Sequence, residues 1–227
     1  MKSSVITFPG SNCDRDIDVA LKKFGFNNKM VWHNDNELPK SDLVVLPGGF
    51  SYGDYLRCGS MASKTKIMQS VINFANSGGL VMGICNGFQI LVETGLVPGV
   101  LLRNKYLEFI CKNVFVKLDN KKNPYFRNLD KDVFEFHIAH NEGNYFCTND
   151  QLKEIEDNNQ IAIYYCNNSG EVKDQFNPNG STKNIAGIFN KEKNVLGMMP
   201  HPERMIDGSL SGEDGSLFFK NLINNIR

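Results

Sequence analysis

Two short constellations in this chain could do chemistry: a cysteine bracketed by glycines and a histidine bracketed by prolines. Cys85 stands in Gly83-Ile84-Cys85-Asn86-Gly87, after an apolar run from Leu80 and before the apolar Phe88, Ile90 and Leu91. That pattern predicts a buried strand, a sharp turn with Cys85 at its apex, and a helix behind it, the cysteine counterpart of a nucleophile elbow. Glycine on each side leaves room where a β-carbon would crowd the turn or the adjoining strand. The sulfur is expected to leave the sheet edge toward solvent, and the unpaired amides at the helix start favour its thiolate.

A cysteine nucleophile needs a base for its proton and an acid for the leaving group, and one histidine can serve as both. His33 follows a strand pattern beside Trp32 and has nothing to distinguish it. His137 and His140 are three apart on a strand pattern, so they face opposite ways and make a poor metal pair. His201 lies in Pro200-His201-Pro202-Glu203, whose prolines restrict the backbone on both sides of the imidazole. In an extended segment His201 and Glu203 share a side, so the carboxylate can hold the ring and complete a Cys85-His201-Glu203 triad. The Asn86 amide, just after the nucleophile, is the natural first oxyanion donor. Gly49 or Phe50, in the turn Pro47-Gly48-Gly49-Phe50, is placed to supply the second. These parts predict attack on an amide carbonyl, loss of an amine and hydrolysis of a thioester.

The elements that must position these residues alternate in the first half of the chain. Strand patterns at Ser4 to Phe8, Lys29 to His33, Leu43 to Leu46 and Leu80 to Ile84 alternate with helical ones. The helices are expected from about Ser11, over Ala62 to Asn76, and through Gln89 to about Thr94. Continuous apolar strands separated by helices indicate an α/β fold, a mostly parallel, flavodoxin-like sheet with helices on both faces. Ligands collect at the carboxyl ends of such strands, where Gly49 and Cys85 both fall. From about residue 99 more strand patterns follow: Leu107 to Leu118, Val133 to Ala139, Ile161 to Cys166, Ile185 to Phe189 and Val195 to Met199. A capping box at Thr148 and Gln151 opens a short helix, and an amphipathic helix from Leu217 to Ile226 ends the chain. No linker or repeat divides the 227 residues, so residues 1–227 are expected to form one domain.

Acidic and basic residues balance at 25 each and form no basic run, which argues against nucleic acid or an anionic membrane as the main partner. The amino-terminal residues lack the pattern of a targeting segment, and no apolar stretch is long enough to span a bilayer. Six scattered cysteines without a C-x-x-C pair suggest reduced thiols and a cytoplasmic protein. Neither phosphate-binding glycine pattern occurs, so nothing in the sequence binds ATP, and no metal-ligand set is evident.

The chain resembles the class I, or triad, glutamine amidotransferases, and among them the small glutaminase subunits of phosphoribosylformylglycinamidine synthases. The resemblance is carried by Phe8 to Asp14, Leu46 to Asp54, Leu56 to Gly59, Gly83 to Gln89, Ile138 to His140 with Glu142 and Gly143, and Pro200 to Arg204. Asn141 and Asn144 depart from it, standing where a glycine and a basic residue are usual. The resemblance implies Cys85 as nucleophile, His201 as base and acid, and Glu203 as its orienting partner. It implies Gly49 and Asn86 as the oxyanion site, with Phe50 and Gln89 near L-glutamine. It further implies a partner: a large ATP-dependent synthetase subunit, with a small third subunit, on which ATP and Mg are expected. No cofactor is expected in this chain. The residues alone leave two other readings open, a γ-glutamyl peptidase-like Cys-His hydrolase and a non-catalytic flavodoxin-like module.

Overall fold

A computed structural model describes residues 1–226. In the first half β1 (Lys2–Thr7), α1 (Asp14–Lys23), β2 (Asn27–Trp32), β3 (Leu43–Leu46), α2 (Lys66–Asn76), β4 (Leu80–Ile84) and α3 (Asn86–Glu93) alternate. The second half adds β5 (Val100–Leu102), β6 (Ile110–Leu118), β7 (Val133–His140), β8 (Asn144–Phe146), α4 (Asn149–Asp157), β9 (Ile161–Cys166), β10 (Ile185–Phe189), β11 (Val195–Met198) and α5 (Asp214–Ile226). Nine strands form one sheet in the order β2-β1-β3-β4-β11-β10-β9-β6-β7. The first five are mutually parallel, and the remaining four join antiparallel.

This order explains where a ligand can bind. β2 and β3 flank β1 on opposite sides, so right-handed crossovers carry α1 and α2 to opposite faces. The chain thereby diverges at the carboxyl ends of β1 and β3, leaving a crevice between the loops that follow. The central parallel strands are buried on both sides: all four residues of β3 and of β11, and Val81 to Ile84 of β4, are out of solvent. A second-half aromatic cluster closes one flank, with Phe126 packed between Phe189 and Phe218. The buried Tyr125 hydroxyl lies 2.7 Å from the carbonyls of Val81 and Asn194, at the starts of β4 and β11. The exposed edge of β7 is blunted by Asp214, which opens α5 and accepts the Glu135 N–H at 2.7 Å.

Local chemistry shifts several element boundaries from those the periodicity suggests. Ser11 does not start α1, because its hydroxyl closes a tight turn with the N–H and carbonyl of Phe8. The helix begins at Asp14, with Asp14 and Asp16 at its positive end and Lys22 and Lys23 at its negative end. Ala62–Lys64 is a separate 3-10 turn, since Thr65 is extended and binds the Ala62 carbonyl through its hydroxyl. β6 starts at Ile110 rather than Leu107, which occupies a turn at φ 57°. The strands β5 and β8 pair only with each other and are too short for periodicity to betray. The Thr148–Gln151 capping box is formed as expected.

Candidate active site

Four strand-end loops converge on Cys85. Its backbone has φ 50° and ψ −106°, a strained conformation for a residue with a β-carbon. Neighbouring glycines make the turn possible: a β-carbon on Gly83 would lie 2.6 Å from the Gly87 carbonyl oxygen, and one on Gly87 only 2.0 Å from that of Leu46. The Cys85 N–H still donates to the Met198 carbonyl at 2.8 Å, so the sheet ladder runs into the apex of the turn. α3 begins directly at Asn86, behind the turn as the apolar pattern indicates. The sulfur is more enclosed than expected. Cys85 is 5% exposed and lines a pocket of about 170 Å³ with Asn12, Cys13, Gly49, Phe50, Phe109, Ala139, His201 and Arg204.

His201 comes to this pocket from the end of β11, and its N–H donates to the His137 carbonyl at 2.8 Å. The segment after it is not extended: Pro202–Arg204 is a 3-10 turn with proline in its first residue. Turn curvature rather than strand alternation therefore brings Glu203 back to the ring, with Oε1 2.6 Å from Nδ1. Both side chains are buried. Burial by itself disfavours a charged imidazole, but the facing Glu203 carboxylate and the Cys85 sulfur prevail, pushing His201 up from 6.5 to about 10. Among the described residues His201 Nε2 has no hydrogen-bond partner, and the Cys85 thiol donates to the Ala139 carbonyl at 3.7 Å. Gly48 separates the two groups closely: a β-carbon there would be 2.7 Å from His201 Cε1 and 3.4 Å from the Cys85 β-carbon.

The turn after β3 forms the opposite wall. Gly49 adopts φ 129° and abuts the backbone of Asn12, where a β-carbon would lie at 2.6 Å. The Phe50 amide is committed to the Gly10 carbonyl at 2.9 Å, so of the two candidates Gly49 and Phe50 it is Gly49 whose amide has no acceptor among the described residues. Asn86 opens α3, so its N–H has no carbonyl one turn back. The Phe50 side chain is half-exposed at the mouth, 6.5 Å from the Phe109 ring. Gln89 lies on the first turn of α3. It is buried, accepts from Asn86 Nδ2 at 2.8 Å and donates to the Glu142 carbonyl at 2.8 Å.

Several residues of the pocket escaped sequence reasoning. Phe109 and Ala139 come from second-half loops and strands whose spacing to Cys85 carries no periodic signal. Cys13 and Arg204 were visible only as parts of longer motifs; Arg204 Nη2 donates to Cys13 Sγ at 3.1 Å and Nε to Asp16 at 3.1 Å. Burial and the Glu203 charge push the Cys13 thiol up to about 12. His140 faces the other side of β7 from His137, as alternation requires. It is buried against Gly143 with Nδ1 3.0 Å from Asn104 Oδ1, and burial lowers its pKa to about 4. His33 supports the loop after β3 through the Tyr52 hydroxyl at 2.7 Å. Of the two departures in the turn after β7, Asn144 contacts the Arg103 carbonyl and the Asn141 carbonyl accepts from the Asn104 N–H.

The chain is similar to known proteins along its length. Residues 1–212 match the CobB/CobQ-like glutamine amidotransferase domain. The chain is 79% identical to phosphoribosylformylglycinamidine synthase subunit PurQ of Pelagibacter ubique over the full length of both, and 52% identical to the Moorella thermoacetica subunit over 95% of this chain and 92% of that one. It is 40% identical to a chain in the structure of PurLQS from Thermotoga maritima, with a TM-score of 0.88 over 100% of this chain and 99% of that chain.

Proposed function

The chain belongs to the CobB/CobQ-like glutamine amidotransferase family, and on that premise we propose that it is the glutaminase subunit of a phosphoribosylformylglycinamidine synthase in purine biosynthesis. The observation that carries the chemistry is a pocket lined by Cys85, His201 and Gly49, with Glu203 held against the His201 ring and Asn86 opening the helix directly after Cys85. Sγ of Cys85 attacks the side-chain amide carbon of L-glutamine and its proton passes to His201, whose basicity Glu203 raises. The carbonyl oxygen takes the electron pair and is held by the N–H groups of Gly49 and Asn86. Collapse breaks the C–N bond, His201 returns the proton to nitrogen, and ammonia leaves a γ-glutamyl thioester on Cys85. Water then loses a proton to His201 and attacks the thioester, releasing glutamate. Phe50 packs on the glutamine chain at the mouth.

The ammonia is consumed on a separate ATP-dependent synthetase subunit, with ATP and Mg bound there, in an assembly that includes a small third subunit. The likeness to a chain of PurLQS supports this partnership. The exposed Phe50 and Phe109 line the pocket, where a partner receiving ammonia must dock. Among the described residues no helix is long and apolar enough to cross a membrane, and the six cysteines are free, which supports a cytoplasmic setting.

Labelling with a glutamine-derived chloroketone tests the reading. Mass spectrometry is expected to find one adduct on Cys85 in the wild type and none in Cys85→Ala, with glutamine protecting. Turnover of γ-glutamyl peptides in preference to glutamine, or a rate that the synthetase subunit leaves unchanged, rejects it.

A further inference from the structure

One buried side-chain amide grips separate pieces of chain around the pocket, and no step of the reaction above uses it. Asn104 lies between β5 and β6 and is buried. Its Nδ2 donates to the carbonyls of Glu108 and His140, each at 2.8 Å. Its Oδ1 accepts the Gly143 N–H at 3.1 Å and faces His140 Nδ1 at 3.0 Å. Two N–H groups and two lone pairs are thereby all spent, so this amide has nothing left to offer a ligand. Its direction is fixed too, because a peptide carbonyl only accepts and a peptide N–H only donates. His140 Nδ1 must then carry the proton of the neutral ring. The backbone N–H of Asn104 adds a bond to the Asn141 carbonyl at 2.9 Å.

Every residue gripped in this way adjoins one that reaches the site. His140 follows Ala139, which lines the pocket and takes the Cys85 thiol bond on its carbonyl. Glu108 precedes Phe109, which lines the same pocket. Between Asn141 and Gly143 stands Glu142, whose carbonyl accepts from Gln89 Nε2 at 2.8 Å. Gln89 Oε1 accepts from Asn86, so one N–H and one lone pair of the Gln89 amide remain for glutamine. Gly143 packs flat on the His140 ring, where a β-carbon would lie 2.4 Å from Cε1 and Nδ1. The Gly143 carbonyl is tied separately, by Asn179 Nδ2 at 2.8 Å, so the chain beyond the turn has its own anchor.

We propose that Asn104 is a positioning residue for glutamine binding: it sets the turn over 139–143 so that the Glu142 carbonyl aims the free side of the Gln89 amide at the substrate. The inference rests on the glutaminase reading. The triad and the oxyanion donors stand on β4, α3, the turn after β3 and the segment after β11. Among the described residues Asn104 makes no hydrogen bond to any of these, so it governs how glutamine is held and leaves the chemical step alone.

Variants of the full chain, assayed with the synthetase assembly, test this. Asn104→Asp keeps the acceptor for Gly143 but sets an oxygen against the carbonyls of Glu108 and His140. Its KM for glutamine is expected to rise about tenfold while kcat stays within about threefold, the pattern of lost ground-state binding. Asn104→Ser, uncharged and too short to bridge the same groups, gives the same split if the Asp variant does not fold. Iodoacetamide needs the nucleophile but no glutamine site, so its rate on Cys85 should stay within about twofold. Inactivation by the glutamine-derived chloroketone below saturation should slow about tenfold. Hydrogen–deuterium exchange over 139–143 should accelerate, with the peptides of β4 and β8 unchanged. An unchanged KM overturns the proposal, as does unaltered exchange over 139–143 or an equal loss in both labelling rates, the mark of general damage to the pocket. The wild-type assembly separates the two readings: if it turns over no glutamine, the glutaminase reading itself fails, whereas normal wild-type turnover with an unchanged KM in the variants overturns the role of Asn104 alone.

Discussion

His201 and Glu203 form a buried pair with Nδ1 2.6 Å from Oε1, while the opposite ring nitrogen is left without a hydrogen-bond partner. One side of the imidazole is thus held against a carboxylate that favours its charged form, and the other faces the pocket lined by Cys85, where the proton taken from the thiol is carried. The arrangement raises the basicity of the ring and sets its direction in a single contact. The pairing arises because Pro202 opens a 3-10 turn that folds Glu203 back onto His201.

Replacing Glu203 by Gln is expected to keep the shape and remove the charge. His201 should fall from about 10, because burial is then opposed only by the Cys85 sulfur. Glutaminase kcat should drop by roughly 10²–10⁴, in line with loss of the orienting acid in other triads. A variant with kcat within about threefold of the wild type would show that Glu203 is only structural.

The same pair makes stability depend on pH. A histidine raised in the folded state binds more protons folded than unfolded between about 6.5 and 10, so folding stability falls as pH rises through that window and is full below it. Urea unfolding of the wild type should show this decline. Glu203→Gln should flatten it. An equal slope in both proteins would locate the pH dependence elsewhere.

Gly48 sets the distance between base and nucleophile. A β-carbon at this position would meet His201 Cε1 at 2.7 Å and approach Cys85 at 3.4 Å. Gly48→Ala should therefore displace the imidazole, lowering kcat about 100-fold, as small misplacements of catalytic groups do. The thermal midpoint should fall as well, since Gly48 is buried and the new methyl would also meet Cys13 Sγ at 3.3 Å. Full activity in Gly48→Ala would mean that the ring has slack to move.

How much of this was legible in the sequence depends on how local each feature is. The Cys85 elbow was readable because glycine bracketing, an apolar strand and a following helix lie within a dozen residues. The His201–Glu203 pair was also readable, although the backbone that makes it is a turn and not an extended segment. Gly49 could be nominated beside Phe50 but not separated from it, because the choice depends on the Gly10 carbonyl capturing the Phe50 amide, a contact 40 residues away. Phe109, Ala139 and the Asn86–Gln89–Glu142 relay arise only when β6 and β7 are laid into the sheet. Nothing in local periodicity encodes that placement. The short β5–β8 ribbon was hidden for the same reason.

Two thiols share the pocket, and their surroundings predict opposite reactivity. Cys13 is pushed up to about 12 by burial and by the Glu203 charge, and Arg204 Nη2 already donates to its sulfur. Iodoacetamide at pH 7 to 8 should alkylate Cys85 and leave Cys13 unmodified, because the thiolate is the reacting species. Peptide mapping of the labelled protein checks this, and adducts forming on Cys13 at a comparable rate would contradict it.

Gly87→Ala sets helix propensity against packing. In an exposed helix the change stabilises by about 1 kcal/mol. In α3 the new methyl would fall 2.0 Å from the Leu46 carbonyl oxygen and 2.9 Å from the Leu46 side chain, at the end of β3. That neighbour is backbone of a fully buried strand and cannot swing aside, so α3 must lift away from the sheet. Because Cys85 and Asn86 sit at the foot of the same helix, the lift moves the nucleophile and an oxyanion donor together. Overpacking of this kind costs about 1–3 kcal/mol, which should outweigh the propensity gain and lower the denaturant midpoint. Activity should fall further than stability accounts for. A stabilised Gly87→Ala variant with normal glutamine turnover would show that the close approach of α3 to β3 is not what sets the elbow.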